Sequence, residues 1–590
     1  MAAPGGKVTM DRTLRRLAST VLPILLILAT AWVSRYLHVL DFGLYEDDLT
    51  IVPRAAAMSG SELTAYVSGY IAHLYGHGRP LSDSLIYLFS WLGWRLGGLA
   101  WMYLFGFAFV GLNNILIYAL AYRVAGARVA LLAGLAFAVY PADTTQAFLT
   151  HSLGLQPALS LALLSIHAYL SNRRWAGYLL AAVVLFTYET AFGLIAAAPL
   201  LAPGAWDRAR LRRLLLHGMA LAVILAAVLG VRIAIADDRV GGVPFPWIFL
   251  TPLVHMVEGP LVSLGMFVLR PATAVGKNAM DGWLITIAAF AILAGSLLLS
   301  GRPDDGLSAD DLRSIGGLKP PGRPWWRGWR ERWTSLPEAL RGRVRLGAAG
   351  MAMLVLAYPL TYTVRAYAID GRDTRVHFAA AAGAALVIAV LAASLWDALR
   401  AWGKGRLGAL LIAGEAALLI GFGQAIQRDY QAGWVSQQRF WSNLVTQIPD
   451  ARDGTVVLVE PGPLGDVTQI GANSWNLPRV LELLYVFPEA WKTPPRVVRL
   501  QPDWREHILS GEGPLSLNWE SVLSPESLWG EIEGKDVILF LGEDGVLVRQ
   551  SGPMDIAGQM TSLMTTERRG EPPYPHRLLY DLLIRKTLPD

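Results

Sequence analysis

Residues 17–33 read LASTVLPILLILATAWV, an unbroken apolar run that follows four basic residues, Lys7, Arg12, Arg15 and Arg16. A helix rises about 1.5 Å per residue, so this run comes close to crossing a hydrocarbon core of roughly 30 Å. No convincing small-residue cleavage site follows the run. The segment therefore predicts an uncleaved first membrane span that enters from the cytoplasm.

Similar apolar runs recur up to residue 423 and then stop. Of the 590 residues, 54% are hydrophobic and only 16% are charged, whereas a soluble domain carries about a quarter of charged residues. We therefore expect a polytopic α-helical membrane protein with about eleven transmembrane helices in residues 1–423. The chain has no cysteine, which excludes disulfides, thiolate nucleophiles and cysteine-ligated metals.

The distribution of Lys and Arg predicts the orientation of these spans. Basic residues recur in short loops on alternate sides, as the positive-inside rule requires, which places the N-terminus in the cytoplasm. Two long outer segments result, the first outer loop (36–98) and residues 239–281. The basic, Trp-rich loop 301–345 is cytoplasmic and either lies on the membrane surface or forms a flexible linker. This basic excess is that of a protein of the cytoplasmic (inner) membrane, and we expect no nucleic-acid partner.

Residues 424–590 predict a soluble α/β domain outside the cytoplasm. Strand-like runs at 455–459 and 537–541 are separated by turn signals and amphipathic stretches, and GEDG at 542–545 is typical of a hairpin turn. Glu460 and Asp466 flank a Pro/Gly loop, where solvated carboxylates are the simpler interpretation. We expect this tail to cover an active face or to grip an acceptor.

The first outer loop carries the most informative residues. Tyr45 is followed by three consecutive acids, Glu46, Asp47 and Asp48, close to the end of the first span. A carboxylate at this boundary can act as a general base toward an acceptor hydroxyl. Neighbouring carboxylates can also raise one another's pKa or share a cation. A solvated acidic loop that only caps the membrane face remains an alternative.

Two later sequence motifs accompany these acids. The same loop contains HGRPL at 77–81, and the predicted third span ends in FAVYPAD at 137–143. Together with the acidic pair after the first span, these motifs resemble the polyprenol-dependent GT-C glycosyltransferases, most closely the protein O-mannosyltransferase and TMTC-like branch. The resemblance covers roughly residues 15–200, and its motifs are short.

The resemblance implies a site beside the outer leaflet, where a polyprenyl-phosphate sugar presents its head group. Asp47 matches the first acid of the family's pair and is the expected general base, with Asp48 orienting it or the acceptor. Glu46 departs from the pattern, which leaves the choice among the three acids open. Arg79 fits a contact to the donor phosphate, because a guanidinium fork matches phosphate oxygens. His77 either assists or caps the loop.

Other outer residues are candidates for the same cavity. Glu189 lies among apolar spans without a basic neighbour in sequence, so we expect it to need a partner across the fold. A phosphate would explain basic residues on the face that the positive-inside rule disfavours, although pairing with Asp370 and Asp373 would explain them equally. The basic candidates are Arg365, Arg372, Arg375, Lys277 and Arg270, and the acid Asp143 is a further candidate for the cavity.

The expected function is that of an inverting glycosyltransferase in which a polyprenyl-phosphate sugar is the donor. The acceptor would be a hydroxyl of a protein or a cell-surface glycan. We expect no obligatory metal, although neighbouring acids and His77 can hold a divalent cation through oxygen ligands. The alternatives are a transporter or flippase, and a non-catalytic polysaccharide assembly factor. A transporter should place paired ionisable groups near the bilayer midplane.

Overall fold

The computed structural model describes the chain except for residues 1–5, 75–77, 146, 205–206, 236–246, 301–332, 334–335, 362–364, 461–478, 501–514, 517–521, 524–531, 544–545, 557–558, 567 and 586–590. The predictions for His77, Asp466 and most of the 301–345 loop lie outside the described residues.

The membrane part consists of helices. In chain order the α-helices are α1 (Gly6–Arg35), α2 (Asp48–Ala57), α3 (Gly60–His73), α4 (Pro80–Gly97), α5 (Leu99–Ala125), α6 (Ala127–Ala138), α7 (Leu149–Leu170), α8 (Arg174–Thr187), α9 (Ala198–Leu201), α10 (Arg208–Ala234), α11 (Trp247–Lys277), α12 (Met280–Ser300), α13 (Glu338–Leu356), α14 (Ala380–Ala401), α15 (Gly405–Val445), α16 (Val480–Leu484) and α17 (Leu578–Leu583). Three 3₁₀ helices cover Val39–Asp41, Glu189–Ala197 and Arg372–His377.

Within the described residues, eight helical segments are long and apolar enough to cross a membrane. Three shorter ones are also apolar, namely α6, α8 and the 3₁₀ helix that continues into α9. The chain is therefore a polytopic helical membrane protein, as the sequence predicts. The number of eleven spans stays a prediction.

We name the two ends of the helix bundle by their charge. The acidic end contains residues 45–48 and the last turns of α1 and α6, where Arg35 Nε donates to the Ala138 carbonyl at 2.9 Å. At the basic end Asp397 pairs with Arg128 at 2.8 Å and with Arg343 at 2.6 Å, and all three side chains are buried. This triad joins α6, α13 and α14, and loss of one partner of such a buried pair typically costs about 3–5 kcal/mol.

Helix α11 falls within the predicted outer segment 239–281, yet it is itself long and apolar enough to cross a membrane. Its contacts nevertheless lie along the acidic end. His255 Nδ1 lies 2.9 Å from the Thr361 carbonyl, the Ser263 hydroxyl lies 2.6 Å from that of Tyr140, and Arg270 pairs with Asp370 at 3.1 Å. These three contacts join α11 to residues of the acidic end, and its place in an outer segment stays a prediction.

The first outer loop folds into the helices α2, α3 and α4. Helix α3 begins with a capping box, in which Ser59 Oγ accepts from Glu62 N–H at 3.2 Å and Glu62 accepts from Ser59 N–H at 2.7 Å. This reciprocal arrangement satisfies two backbone donors that the first turn leaves unpaired. The acids at 46–48 thus precede a folded helical layer.

Helix α15 leaves the bundle without a break and runs for 41 residues into the C-terminal part. The predicted domain boundary between residues 423 and 424 lies inside this helix. The division into residues 1–423 and 424–590 stays a prediction, but the connection across it is a continuous helix.

The tail contains a mixed four-stranded sheet in the order β2-β1-β5-β6. The described strands are β1 (Val456–Glu460), β2 (Arg496–Arg499), β3 (Leu515–Ser516), β4 (Val522–Leu523), β5 (Val537–Glu543), β6 (Val546–Arg549), β7 (Pro553–Ile556) and β8 (Gln559–Ser562). Strand β1 pairs in parallel with β2 and β5, whereas β5 and β6 pair antiparallel. The two predicted strands, 455–459 and 537–541, are confirmed as β1 and β5.

We predict that the tail faces the extracytoplasmic side. A reporter that is active only in the cytoplasm, fused after Asp590, should be silent because the positive-inside rule places the basic end in the cytoplasm. A truncated fusion after Gly403, in the exposed turn between α14 and α15, is the control and should be active. Strong activity from the fusion after Asp590 would contradict the proposed orientation.

Candidate functional site

Tyr45 anchors the loop that carries the three acids, residues 45–48, which we call the acidic loop. The fully buried Tyr45 hydroxyl accepts from Gly43 N–H at 3.1 Å and donates to the Tyr430 carbonyl at 2.9 Å. The next residue, Glu46, has φ +48°, a left-handed conformation that non-glycine residues rarely adopt. The turn directs the three acids to different partners.

Asp48 points into the protein. Its carboxylate is fully buried and accepts hydrogen bonds from the backbone N–H groups of Leu149 at 2.9 Å and Thr150 at 2.8 Å. These are unpaired donors in the first turn of α7, where the helix dipole also favours a negative charge. Burial raises the pKa of Asp48 to about 7, and the two N–H donors act in the opposite direction. This geometry favours a positioning role for Asp48.

Glu46 and Asp47 share a single guanidinium. Arg372 Nη2 donates to Asp47 Oδ2 at 2.8 Å, and its Nε lies 3.0 Å from Glu46 Oε2. The contact to Glu46 is an ion pair without hydrogen-bond alignment, since Glu46 Oε2 has no hydrogen bond among the described residues. Arg372 thus links the acidic loop to the 3₁₀ helix Arg372–His377.

The three acids differ in their access to solvent. The exposed fraction of the side chain is 29% for Asp47 and 9% for Glu46. Burial, with a smaller contribution from Asp47, raises the pKa of Glu46 to about 7 against the opposing effect of Arg372. Asp47 is therefore the acid of this loop that an external hydroxyl can reach.

Arg375 lies one turn further along the same 3₁₀ helix, where residues i and i+3 share a side. Its guanidinium makes no hydrogen bond or ion pair with any described residue. Burial and the neighbouring charge of Arg372 lower its pKa. Both arginines lie near enough to His151 to act on it electrostatically, and the buried His151 Nδ1 has no hydrogen bond within the described part of the chain. The guanidinium groups of Arg372 and Arg375 and the imidazole of His151 can together bind an anion.

Arg79 is engaged in a different contact. Its guanidinium forms a two-pronged ion pair with Glu189, with Nε 2.8 Å from Oε2, and lies over the Tyr188 ring at 3.9 Å from the centroid. Arg232 Nη2 reaches the same carboxylate at 3.3 Å and the Gly78 carbonyl at 3.2 Å. Glu189 thus has the partners that its apolar surroundings require. The guanidinium fork of Arg79 faces Glu189. A contact of Arg79 with a phosphate stays a prediction.

The remaining predicted residues are dispersed around this site. Asp143 accepts from Thr145 N–H at 2.9 Å and lines a small cavity of about 20 Å³ with Arg35 and Tyr430. Lys277 is exposed at the end of α11.

The basic candidates near residue 370 have separate partners. Arg365 is exposed and donates to the Tyr367 hydroxyl at 2.6 Å. Arg270 pairs with Asp370, as the alternative explanation for these basic residues anticipated. Arg372, in contrast, pairs with acids of the first outer loop.

Two contributors were not predicted for this site, Arg232 and Tyr188. An arginine inside an apolar helix together with a glutamate in a neighbouring one is a recognisable signal for a buried pair. Tyr188 carries no comparable signal, since an aromatic residue at a span end is common. The described residues contain no group of three His, Cys, Asp or Glu side chains arranged to hold a metal ion.

Comparisons with known proteins give a distant structural likeness. ArnT from Cupriavidus metallidurans bound to undecaprenyl phosphate is 13% identical, with a TM-score of 0.36, over 85% of this chain and 96% of that chain. The apo state of ArnT from the same organism is 16% identical over the same shares, with a TM-score of 0.31. No protein-family model matches the chain, and no curated protein matches its sequence. Both TM-scores are low, so this likeness assigns no function to the chain.

We predict that Asp48→Asn destabilises the protein. Asparagine keeps one acceptor oxygen but turns an NH₂ group toward one of the two backbone donors, and an unsatisfied buried donor costs about 1–3 kcal/mol. The melting temperature of the detergent-purified variant should fall. Asp41→Asn, in the same segment but exposed, should melt like the unmodified protein. Equal melting of both variants would contradict the positioning role.

Proposed function

We propose that this chain is an integral membrane glycosyltransferase that moves a sugar from a polyprenyl phosphate to a hydroxyl of a protein or cell-surface glycan. One observation carries the proposal. Asp47, the accessible acid, is held by Arg372 beside Arg375, whose guanidinium makes no hydrogen bond or ion pair with a described residue and senses Asp373 and Glu46 only electrostatically. A base next to an anion site at one end of a membrane bundle suits transfer from a lipid phosphate.

Asp47 would act as the general base of the transfer. Its carboxylate takes the proton of the acceptor hydroxyl while the hydroxyl oxygen forms a bond to the anomeric carbon. The bond between that carbon and the phosphate oxygen breaks, and the polyprenyl phosphate leaves with the electron pair. Attack from the face opposite the leaving group inverts the anomeric carbon. Arg372 holds Asp47 at 2.8 Å and so fixes the orientation of its carboxylate.

Arg375 and His151 would receive the leaving phosphate. The negative charge on the phosphate grows as the sugar departs, so nearby cationic donors stabilise the transition state more than the ground state. Arg375 is suited to this because no described acid is paired with it. The buried His151 Nδ1 offers a further position for hydrogen bonding.

Arg79 would shape the donor site indirectly, through its contacts with Glu189 and Tyr188. Its fork holds Glu189, and Tyr188 lies between its guanidinium and Phe378, which packs edge-on at a centroid distance of 5.5 Å. Tyr188 also acts electrostatically on Arg375. Arg79 thus reaches the proposed phosphate site through one aromatic ring, which reconciles the family-like motif with its pairing to Glu189.

The finer points of the proposal come from the sequence. Eleven spans, with the acidic end facing the extracytoplasmic side of the inner membrane, would place the site where a flipped lipid donor is presented. The resemblance to the protein O-mannosyltransferase and TMTC-like branch favours a hexose donor. A transporter is less consistent with the structure, because the buried ion pairs described for the helix bundle join residues near the ends of helices.

The central prediction is that Asp47→Asn abolishes most sugar transfer. Loss of a general base typically lowers the rate about a hundred- to ten-thousand-fold. Transfer is measured in liposomes with polyprenyl-phosphate mannose and polyprenyl-phosphate glucose as trial donors, and binding of polyprenyl phosphate by native mass spectrometry. Asp47→Asn should lose turnover and retain binding.

Matched variants make this result specific. Asp41→Asn, which removes an exposed carboxylate from the same loop, should retain full activity. Glu46→Gln should lose less than Asp47→Asn because its side chain is buried against Arg372. Full activity of Asp47→Asn would exclude Asp47 as the base. Full activity of Glu46→Gln, Asp47→Asn and Asp48→Asn together would refute the glycosyltransferase proposal.

We further predict that Arg375→Gln weakens donor use. Loss of a charge-assisted hydrogen bond costs about 1.5–3 kcal/mol, which corresponds to roughly a ten- to hundred-fold rise in the donor KM. Arg365→Gln is the control, because Arg365 is exposed and contacts Tyr367. An equal donor KM for the two variants would remove Arg375 from the donor site.

A further inference from the structure

A second charged cavity lies at the opposite end of the bundle. It has a volume of about 510 Å³ and is lined by five arginines and one acid, namely Arg123, Arg174, Arg210, Arg213, Arg345 and Glu338. The arginines come from four different helices, α5, α8, α10 and α13. We call this the basic-end cavity, and none of its residues contributes to the acidic loop.

Some of these arginines are already engaged by the protein. Arg210 donates to the carbonyls of Leu200 and Ala202, each at 2.8 Å, where α9 ends. Arg123 Nη1 donates to Ser171 Oγ at 3.1 Å. The side chains of Arg210 and Arg123 thus line the cavity and form hydrogen bonds with polar groups at the ends of neighbouring helices.

Two other arginines are not engaged. Arg213 makes no hydrogen bond or ion pair with any residue that the structure describes. Arg174 likewise has only a cation–π contact, 5.5 Å from the Tyr169 ring centroid. Both can therefore turn their forks toward an anion in the cavity.

The positive charge of the five arginines in this cavity exceeds the single negative charge of Glu338. Arg345 pairs with Glu338 at 2.8 Å, yet its side chain is only 7% exposed and its buried Nε has no hydrogen bond among the described residues. Arg213 and Arg345 each lie near enough to Arg210 to repel it electrostatically. Ordinary cytoplasmic arginines extend into water, whereas the buried Arg345 lacks this screening. An anion bound in the cavity would remove the repulsion.

The surroundings of the cavity are apolar and exposed. Trp175 and Leu179 on α8 are 75% and 60% exposed, and Leu211 and Leu215 on α10 are 56% and 60% exposed. An open groove of about 610 Å³ shares Arg213 with the cavity and is also lined along α10 by Arg208, Ala209, Arg212 and Leu216. A ligand that combines an anion with hydrocarbon chains fits both surfaces.

We propose that the basic-end cavity binds the phosphate of an anionic phospholipid, gripped by Arg174 and Arg213, with its acyl chains along the exposed leucines of α10. Guanidinium forks match phosphate oxygens geometrically, and basic pockets between spans suit anionic head groups. The site is independent of the proposed sugar transfer, since it uses no residue of the acidic end.

The test is lipid binding by the full chain. The purified protein is delipidated in detergent and titrated with phosphatidylglycerol or phosphatidylcholine, and bound lipids are counted by native mass spectrometry. The double variant Arg174→Gln/Arg213→Gln is compared with Lys404→Gln/Arg406→Gln, which removes two exposed charges from the same end outside the cavity. Inorganic pyrophosphate is added as a competitor to distinguish a lipid from a soluble phosphate.

We expect one tightly bound phosphatidylglycerol in the unmodified protein and in the control variant. Its affinity should fall about ten- to hundred-fold in Arg174→Gln/Arg213→Gln, because charge-assisted hydrogen bonds are lost. Arg174→Lys/Arg213→Lys keeps the charge without the fork and should bind with intermediate affinity, which separates lost contacts from misfolding. Phosphatidylcholine should bind less tightly to all forms with an intact cavity.

Three results would overturn the proposal. One is equal phosphatidylglycerol affinity in the cavity variant and in the control variant. Another is the absence of any preference for phosphatidylglycerol over phosphatidylcholine. Displacement of the lipid by pyrophosphate at matching concentrations would show a soluble phosphate site and refute the lipid assignment.

Discussion

The position of the first outer loop depends on the Glu189 carboxylate, which lies between Arg79 and Arg232. A charge among apolar helices is costly unless it is paired and hydrogen-bonded, so the three side chains constrain one another. Through them the start of α4, the end of α8 and the end of α10 meet at one point. Arg232 also binds the Gly78 carbonyl, which fixes the backbone just before α4. The acidic loop is carried by the same segment of chain and is therefore placed relative to the membrane helices.

Within this frame three consecutive acids acquire three environments. Asp48 accepts hydrogen bonds from backbone donors of α7, Glu46 is buried beside Arg372, and Asp47 remains accessible. The left-handed backbone at Glu46 turns the chain between the acids and so separates their side chains. In a regular strand or helix, the directions of neighbouring side chains would be fixed by the period of that element. Chemical specialisation here arises from backbone geometry and burial, since the residue types are nearly the same.

The local features of the fold could be predicted from the sequence. Apolar length identified the first span, and short strand-like runs bounded by turn signals identified β1 and β5, because both signals are contained in a few adjacent residues. The pairing of Arg372 with Asp47 could not be predicted, since 325 positions separate them in the chain. The burial of Asp48 was also hidden, because nothing in three adjacent acids distinguishes the one that meets a helix start. The charge pattern predicts an outer segment where α11 lies, whereas its length and hydropathy are those of a membrane span, so its placement outside the membrane stays a prediction.

Helix α15 couples the tail mechanically to the acidic end. At about 1.5 Å per residue its 41 residues extend roughly 60 Å as a single rod. Tyr430 and Gln437, on the part beyond the bundle, hold the backbone around the acidic loop through the Tyr45 hydroxyl and the Leu44 carbonyl. A rod with contacts along its length acts as a lever, so a load applied to the tail is transmitted to the loop as tilt or torsion. A shift of the tail would therefore move the backbone next to the acids.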